Sequence, residues 1–194
     1  MRAARGKYLL LLNDDIEILT LNWIERMLEH FEKPHVGVVG VKLLYPNNTI
    51  QHAGVVCNSG NPDHVRRHFP REDKGYFFST SAVHNFSAVT GACMMTPTAI
   101  YKRVGGYSEP LAVSYNDVDY CLKVAKQGLS IVYTPHVELI HFESISRKPV
   151  LDLEEAMYFQ QRWAADIIED PYYNERFLDL APPTFTVKVN FRSL

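Results

Sequence analysis

Residues 8–15 read Tyr8-Leu9-Leu10-Leu11-Leu12-Asn13-Asp14-Asp15, an apolar run that ends in two adjacent carboxylates. The run has the composition of a buried strand. In α/β sheets, ligands bind just beyond the carboxyl ends of strands, and carboxylate oxygens there suit Mg²⁺ or Mn²⁺ holding a phosphate. The stretch therefore predicts an α/β fold with a cation and phosphate site after this strand. A second interpretation, in which Asp14 or Asp15 only caps the following segment, stays open from these residues alone.

The elements after the acidic pair indicate a parallel α/β unit. Apolar side chains recur at helical spacing over 23–31, and the β-branched run at 36–41 predicts the next buried strand. Strand, helix and strand in this order are typical of parallel α/β proteins. Further elements are predicted as a strand over 88–95, a helix over 118–127, and two β segments over 130–134 and 137–141 that Pro135 separates.

Length and charge limit the function classes. The 194 residues, 46% of them hydrophobic, predict a single domain over 1–194, with an irregular surface excursion at 58–74 and a C-terminal tail at 170–194. The formal net charge of -2 excludes a nucleic-acid partner held by bulk electrostatics. The short basic cluster Arg66-Arg67-His68 is interpreted as a solvated loop.

Cysteine usage and hydropathy bear on the compartment. Cys57, Cys93 and Cys121 are odd in number, far apart and without Cys-x-x-Cys spacing, so the sequence indicates neither a disulfide framework nor a zinc site. This favours a reducing cytoplasm. No apolar run approaches the roughly 20 residues that a membrane helix needs, so no transmembrane segment is predicted, while peripheral membrane contact stays open.

Three polar points fall at the ends of predicted elements: Asp14-Asp15 after the first strand, Asp117 at a helix start and His141 after a late strand. If they converge, Asp15 and His141 could bind Mn²⁺ or Mg²⁺ with a diphosphate, and Asp117 could act as a general base. The alternatives are a helix-capping role for Asp117 and a structural imidazole for His141. Asp119 is expected to be a surface acid favoured by the helix dipole.

Five motifs together resemble glycosyltransferase family 2, with the closest match to its bacterial rhamnosyltransferase-like branch. Their order and spacing agree across nearly the whole chain. The motifs are Gly6-Lys7-Tyr8-Leu9-Leu10-Leu11-Leu12-Asn13-Asp14-Asp15, Thr90-Gly91-Ala92-Cys93-Met94, Gly105-Gly106-Tyr107-Ser108-Glu109, Asn116-Asp117-Val118-Asp119-Tyr120-Cys121-Leu122-Lys123 and His141-Phe142-Glu143-Ser144-Ile145-Ser146-Arg147.

The resemblance implies a partial A-type glycosyltransferase fold, a mixed sheet flanked by helices. It also implies inverting transfer of a sugar from a nucleotide diphosphate sugar to a glycan or lipid-linked acceptor hydroxyl, in bacterial surface glycan synthesis, in the cytoplasm or peripherally at the inner membrane. The residues it implies are Asp117 as the catalytic base, Asp15 and His141 for Mn²⁺ or Mg²⁺, Asn13, Asp14 and Arg147 for the donor, and Gly91, Tyr107, Glu109 and Asn116 for the acceptor.

Members of that family begin with nucleotide-binding strands, whereas this sequence starts just before the metal-binding strand. The sequence is therefore expected to lack the N-terminal nucleotide-binding portion, which leaves Lys7 to Leu12 as an exposed sheet edge for self-association or for a partner chain. A non-catalytic remnant that serves as an interaction module is the alternative. A metal-dependent phosphohydrolase would need a denser set of His and Asp ligands than the sequence offers.

Overall fold

The computed structural model describes residues 4–58, 60–143, 152–174, 176–177 and 182–186. Within these ranges the chain forms a mixed sheet of seven strands and a two-stranded hairpin. The strands are β1 (Tyr8–Leu12), β2 (Ile16–Ile18), β3 (Val36–Leu44), β4 (Ile50–His52), β5 (Val55–Asn58), β6 (Asn61–His64), β7 (His84–Asn85), β8 (Cys93–Pro97) and β9 (Ser130–His141). The helices are α1 (Trp23–Glu29), α2 (Thr98–Arg103), α3 (Asn116–Ala125) and α4 (Leu153–Ile167), with short 3-10 turns at His30–Glu32 and Tyr76–Phe78.

Helices cover both faces of the sheet, as strand alternation in β3 requires. Val38 belongs to the apolar core under α3 and α4, whereas Val39 belongs to the core under α1. Trp23 and Met27 of α1 fill the second core. Gly40 allows close packing, because a Cβ there would meet Val89 at 2.4 Å. The predicted fold class, a mixed sheet flanked by helices, is confirmed.

The order of the main sheet is β1-β8-β3-β9-β2, so β1 is an edge strand. β8 is antiparallel to both β1 and β3, and these two strands therefore run in the same direction with β8 between them. The prediction that β1 and β3 are parallel is confirmed in strand direction, but the two strands are not neighbours in the sheet. The cause is β8, whose buried Cys93, Met94 and Met95 make it an interior strand that arrives later in the chain.

The two β segments predicted on either side of Pro135 form one strand, β9. In its parallel pairing with β3, Val41 lies opposite Thr134 and the next residue, Lys42, lies opposite Glu138. Residues 135–137 therefore bulge out of the ladder, where the missing N–H of proline costs no hydrogen bond. Beyond the bulge, β9 continues beside β2 and carries His141 to the end of the sheet.

Residues 58–74 are more regular than expected, because β6 pairs with β5 and Val65 is fully buried. The solvated loop predicted for Arg66-Arg67-His68 is wrong for Arg66. Its guanidinium lies 4.3 Å from the centre of the Phe69 ring and forms an ion pair with Asp73. Arg66 also donates to the Thr184 carbonyl at 2.8 Å, a partner from the C-terminal tail that the local sequence alone does not reveal.

The described part of the C-terminal tail packs on the sheet domain through aromatic rings. The ring of Tyr76 lies 5.1 Å from Phe177 and 6.3 Å from Phe185, between ring centres, and Phe185 also contacts Tyr173 at 4.9 Å. All three cysteines are free and buried. In the described ranges, no helix has the length and apolar character needed to cross a bilayer.

Candidate active site

Asp15 and His141 come together through the register of β2 and β9. Ile16 lies opposite His141, and the Phe142 N–H donates to the Asp15 carbonyl at 3.0 Å. This pairing places Asp15 Oδ1 3.1 Å from His141 Nε2. The side-chain amide of Asn13 is 3.0 Å from the same nitrogen. Two residues 126 positions apart in sequence thus meet at one end of the sheet.

Hydrogen bonds fix the tautomer of His141. The Nε2 amide of Gln51 faces two acceptors, the His141 carbonyl at 3.4 Å and Glu143 Oε2 at 3.3 Å. Its Oε1 therefore faces His141 Nδ1, at 2.8 Å, and a carbonyl oxygen can only accept. His141 must carry its proton on Nδ1, so the neutral ring presents a lone pair at Nε2.

This lone pair lies 3.0 Å from the Asn13 side-chain nitrogen, which can only donate, and 3.1 Å from Asp15 Oδ1, which can only accept when ionised. The contact with Asp15 is the one that a cation would explain. Asp15 Oδ1 is buried and has no hydrogen-bond partner in the part of the chain that the structure describes. Two cis ligands of an octahedral ion with bonds of 2.0–2.1 Å lie about 3 Å apart, which matches the 3.1 Å separation. A ligating histidine also commonly donates its other N–H to a carbonyl group, as His141 does to Gln51.

The Asp15 and His141 pair fits a divalent ion as a partial site. Across the described ranges, no group of three or more His, Cys, Asp and Glu side chains could hold a metal. Two protein ligands with several positions left for water and phosphate oxygens are usual for Mg²⁺, which seldom occupies an all-protein cage. The assignment of Asp15 and His141 as metal ligands stays a prediction that this geometry favours.

Asp117 lies at the start of α3, where two backbone amides hold its carboxylate. Gly91 N–H donates to Oδ2 at 2.9 Å, and Val118 N–H donates to Oδ1 at 2.8 Å. Gly91 has no room for a side chain, since a Cβ there would lie 2.8 Å from the Tyr107 hydroxyl and 3.4 Å from Asp117 Cβ. Burial, and then the neighbouring Asp117, raise the pKa of Tyr107 far above its ordinary value of 10. Tyr107 therefore stays a neutral hydrogen-bond donor beside the carboxylate.

One short segment connects the two polar groups. Gly91 binds Asp117, and the carbonyl of the next residue, Ala92, accepts from the Asn13 N–H at 2.9 Å. Asn13 in turn contacts His141. The loop that leads into β8 is thus bordered by the acid pair Asp14-Asp15, by His141 and by Asp117. The candidate site depends on this convergence.

Helix α4 holds the loop that presents Asp117. The carboxylate of Glu155 accepts from the backbone N–H groups of Ala112 and Val113, each at 3.0 Å, and from that of Ser114. Hydrogen bonds to a charged acceptor of this kind contribute about 1.5–3 kcal/mol each. Glu155 therefore fixes the approach to α3 although it lies more than 30 residues downstream.

The expectation that Asp119 is a surface acid is wrong, because the residue is fully buried. Its carboxylate accepts from the Trp163 indole at 2.9 Å and from Ser108 Oγ at 2.8 Å, and it pairs with Lys123 at 2.9 Å. These partners come from α4, a loop and the next turn of α3. Asp119 thus anchors the helix while Asp117 faces the site.

Two histidines that the sequence analysis did not assign lie close to Asp117. His52 Nδ1 is 3.1 Å from His64 Nδ1, and the Thr90 N–H points to His52 Nε2 at 3.4 Å. Burial lowers the pKa of His52 well below its ordinary value of 6.5, and burial also lowers that of His64. The sequence signal that could have indicated them is the position of His52 directly after Gln51 at the end of a buried strand.

The remaining predicted site residues differ in exposure. Asn13 and Asp14 are exposed at the end of β1, Asn116 is half-buried as the first residue of α3, and Glu109 is exposed in the turn after Tyr107. Arg147 lies outside the described residues. The donor and acceptor roles of these residues stay predictions.

Comparison with family models shows the family, and two sequence relatives match most of the chain. A family model described as "Glycosyltransferase like family" matches residues 1–156. The chain is 40% identical over 180 residues to the uncharacterized protein y4gI of Sinorhizobium fredii, with 88% of this chain and 20% of the relative covered. It is 35% identical over 179 residues to the O-antigen biosynthesis protein RfbC of Myxococcus xanthus, with 89% of this chain and 14% of that protein covered.

A solved structure shows the same fold. The crystal structure of GalNAc-T7 with UDP, GalNAc and Mn²⁺ aligns with a TM-score of 0.62 at 14% sequence identity, over 86% of this chain and 33% of that one. At this identity the likeness concerns the fold alone. The chain spans a fifth or less of the length of the two sequence relatives.

Proposed function

This chain belongs to the glycosyltransferase-like family, and on that premise we propose that it is the catalytic portion of an inverting glycosyltransferase. The observation that carries the proposal is the pair of facing acceptors, Asp15 Oδ1 and His141 Nε2, 3.1 Å apart and one loop away from the Asp117 carboxylate. A cation that binds a diphosphate and a base that activates a hydroxyl are the two requirements of sugar transfer from a nucleotide donor.

On the donor side, Asp15 and His141 would hold Mn²⁺ or Mg²⁺, which supplies positive charge to the departing diphosphate when bound. Gln51 keeps the His141 lone pair directed at that position. Asn13 and Asp14, exposed at the end of β1, extend this surface toward the ribose and diphosphate of a nucleotide diphosphate sugar. Their location beyond the carboxyl end of a strand is where α/β folds bind such ligands.

On the acceptor side, Asp117 takes the proton of the attacking hydroxyl. The acceptor oxygen then forms a bond to the anomeric carbon as the bond from that carbon to the diphosphate oxygen breaks, and a single displacement inverts the configuration. The Gly91 and Val118 amides hold the Asp117 carboxylate in place. Tyr107 and Asn116 lie beside it as candidate acceptor contacts.

The proposed acceptor class rests on the name of one relative. RfbC is named for O-antigen biosynthesis, so we propose a glycan or lipid-linked acceptor in the synthesis of a bacterial surface polysaccharide. Such an acceptor is consistent with a cytoplasmic chain that works at the inner membrane. A rhamnosyl or hexosyl donor is the proposed sugar class.

Isothermal calorimetry tests the proposal. The chain is titrated with uridine, guanosine and thymidine diphosphate sugars, with Mn²⁺ and with EDTA. We expect one donor to bind only with Mn²⁺, and we expect this binding to be lost in Asp15→Asn. Glu17→Gln, an exposed acid on β2, is the matched control that should bind like the wild type. Metal-independent binding, or none in the whole panel, would remove the proposed function.

A second candidate function rests on β1. This edge strand carries half-buried leucines, and Leu12 at its end is 43% exposed. Exposed apolar edges pair readily with other strands, so an interaction module is the alternative to an enzyme. Light scattering would support it if the chain forms a dimer that Leu10→Lys dissociates while no donor binds.

A further inference from the structure

A cleft of about 240 Å³ lies next to Asp117, and residues of the β5–β6 hairpin form part of its lining. We name it the His64 cleft, after the residue that contributes its imidazole to the wall. Its size is below the range of about 300–1,000 Å³ typical of sites for drug-sized ligands, and thus suits one small ring. Its lining includes Asp63, His64, Arg67, Tyr115, Asp117 and Val118.

Two adjacent peptide groups bind one lining residue, Asp117, and the histidine that contacts a second lining residue, His64. Gly91 N–H holds Asp117 at 2.9 Å, and Thr90 N–H points at His52 Nε2 at 3.4 Å. Because His52 accepts at Nε2, its proton is on Nδ1 and is donated to His64 Nδ1, 3.1 Å away. His64 is then left with an N–H at Nε2. The cleft wall thereby gains an oriented donor near the candidate base.

Arg67 offers a second donor. Its terminal nitrogen pairs with Asp63 at 3.1 Å, whereas its Nε is buried and has no hydrogen-bond partner in the described parts of the chain. Buried polar groups are nearly always hydrogen-bonded, and those that are not call for a partner. The rest of the guanidinium is partly exposed and lines the His64 cleft with Asp63, so a ligand oxygen could accept from its terminal N–H groups while Asp63 accepts from a neighbouring hydroxyl.

Tyr115 provides an aromatic wall. Its φ of 60° is in the left-handed region, which non-glycine residues rarely adopt, and strained residues of this kind cluster at functional sites. The ring stacks on buried Phe159 with 4.7 Å between centres and 16° between planes. Phe159 thus fixes the orientation of the ring, and Val118 adds a further apolar group to the wall.

The charge balance selects a neutral ligand. Asp63 and Asp117 contribute two negative charges and Arg67 one positive charge, and His64 is neutral because burial lowers its pKa from the ordinary 6.5. An anionic group would meet an excess of negative charge. A ring with several hydroxyls instead supplies both the acceptors and the donors that these side chains need.

We propose that the His64 cleft binds a neutral pyranose ring of the acceptor and directs one of its hydroxyls to Asp117. The assignment rests on the proposed transferase function and adds Asp63, His64, Arg67 and Tyr115 to its acceptor site. Arg67 and Asp63 would bind ring hydroxyls, and Tyr115 would pack on the apolar face of the sugar.

Protein-observed NMR with the full chain tests the proposal without any need for turnover. Neutral methyl pyranosides (glucoside, galactoside, mannoside and rhamnoside) are added to about 50 mM, with methyl glucuronide and inorganic phosphate as anionic probes. We expect at least one neutral pyranoside to shift the amide signals of residues 63–67 and 115–118 saturably. Arg67→Gln should weaken this binding at least about tenfold, and exposed Arg103→Gln should leave it unchanged.

Three results would overturn the assignment: no shift with any neutral pyranoside, tighter binding of the glucuronide or phosphate at the same amides, or full affinity in folded Arg67→Gln. If Arg67→Gln does not fold, Asp63→Asn, which keeps the shape of the side chain, decides in its place. Mn²⁺-dependent donor binding is measured on the same samples. If the donor binds but no pyranoside does, only the cleft assignment is removed. If a pyranoside binds but no donor does, the transferase proposal is removed.

Discussion

Replacing Gln51 with methionine tests the hydrogen bond that orients His141. Methionine keeps the length of the side chain but offers His141 Nδ1 no comparable acceptor in place of the contact at 2.8 Å. Gln51 is only 5% exposed, so water does not readily substitute for the lost oxygen. The two other contacts of its amide, at 3.3 and 3.4 Å, are long and contribute less.

The size of the effect follows from this geometry. A buried N–H left without a partner costs about 1–3 kcal/mol. Loss of a partner that orients a metal ligand typically lowers metal affinity by about 10–100-fold. We therefore expect Gln51→Met to raise the dissociation constant for Mn²⁺ by about 10–100-fold, which corresponds to about 1.4–2.7 kcal/mol.

The assay is a titration with Mn²⁺ in which the electron paramagnetic resonance signal reports the free ion. Gln161→Met, on the exposed face of α4, is the matched control and should bind like the wild type. Circular dichroism confirms that both variants fold. If folded Gln51→Met binds Mn²⁺ within about twofold of the wild type, the deduced tautomer of His141 and its role as a ligand are wrong.

Three further predictions concern the base, the buried histidines and the core. Asp117→Asn keeps an oxygen for the Gly91 N–H but cannot take a proton. Steady-state sugar transfer should therefore fall at least about 100-fold while Mn²⁺ titrations stay unchanged, and retained turnover would contradict this. Burial holds the pKa of His52 below 6.5 in the folded chain, so the unfolded chain binds more protons at low pH. The free energy of unfolding, measured with urea, should therefore decrease as pH falls below about 6.5. An equal pH dependence in His52→Asn would assign that loss to other groups. Gly40→Ala should lower the free energy of unfolding by about 1–3 kcal/mol, because the added Cβ would lie 2.4 Å from Val89; unchanged urea melting would refute the close packing.

Local patterns sufficed for the longer elements and for the positions of the chemical groups, whereas the short strands β2, β4, β5, β6 and β7 were not predicted. The apolar run ending in Asp14 and Asp15 is a strand, the helix at Asp117 begins at Asn116, and His141 ends β9. Period and capping chemistry act over a few residues, so one sequence can reveal them.

Contacts between residues far apart in the sequence cannot be predicted from such local patterns. The insertion of β8 between β1 and β3 depends on which strand best fills a buried position, which no local pattern specifies. Asp119 looked like a surface acid because its partners, Trp163 above all, are supplied by a distant helix. His64 and Arg67 fall in a polar stretch whose composition resembles a loop, and only the pairing of β5 with β6 places them beside Asp117.

Paramagnetic line broadening by Mn²⁺ tests the central claim most directly. In the proposed site, Asp15 and His141 hold a cation one loop away from Asp117. With substoichiometric Mn²⁺, the amide signals of residues 13–16 and 141–142 should broaden first and those of 91–92 and 117 next, and Asp15→Asn should abolish the effect. Broadening centred elsewhere, or unchanged in Asp15→Asn, would contradict the account.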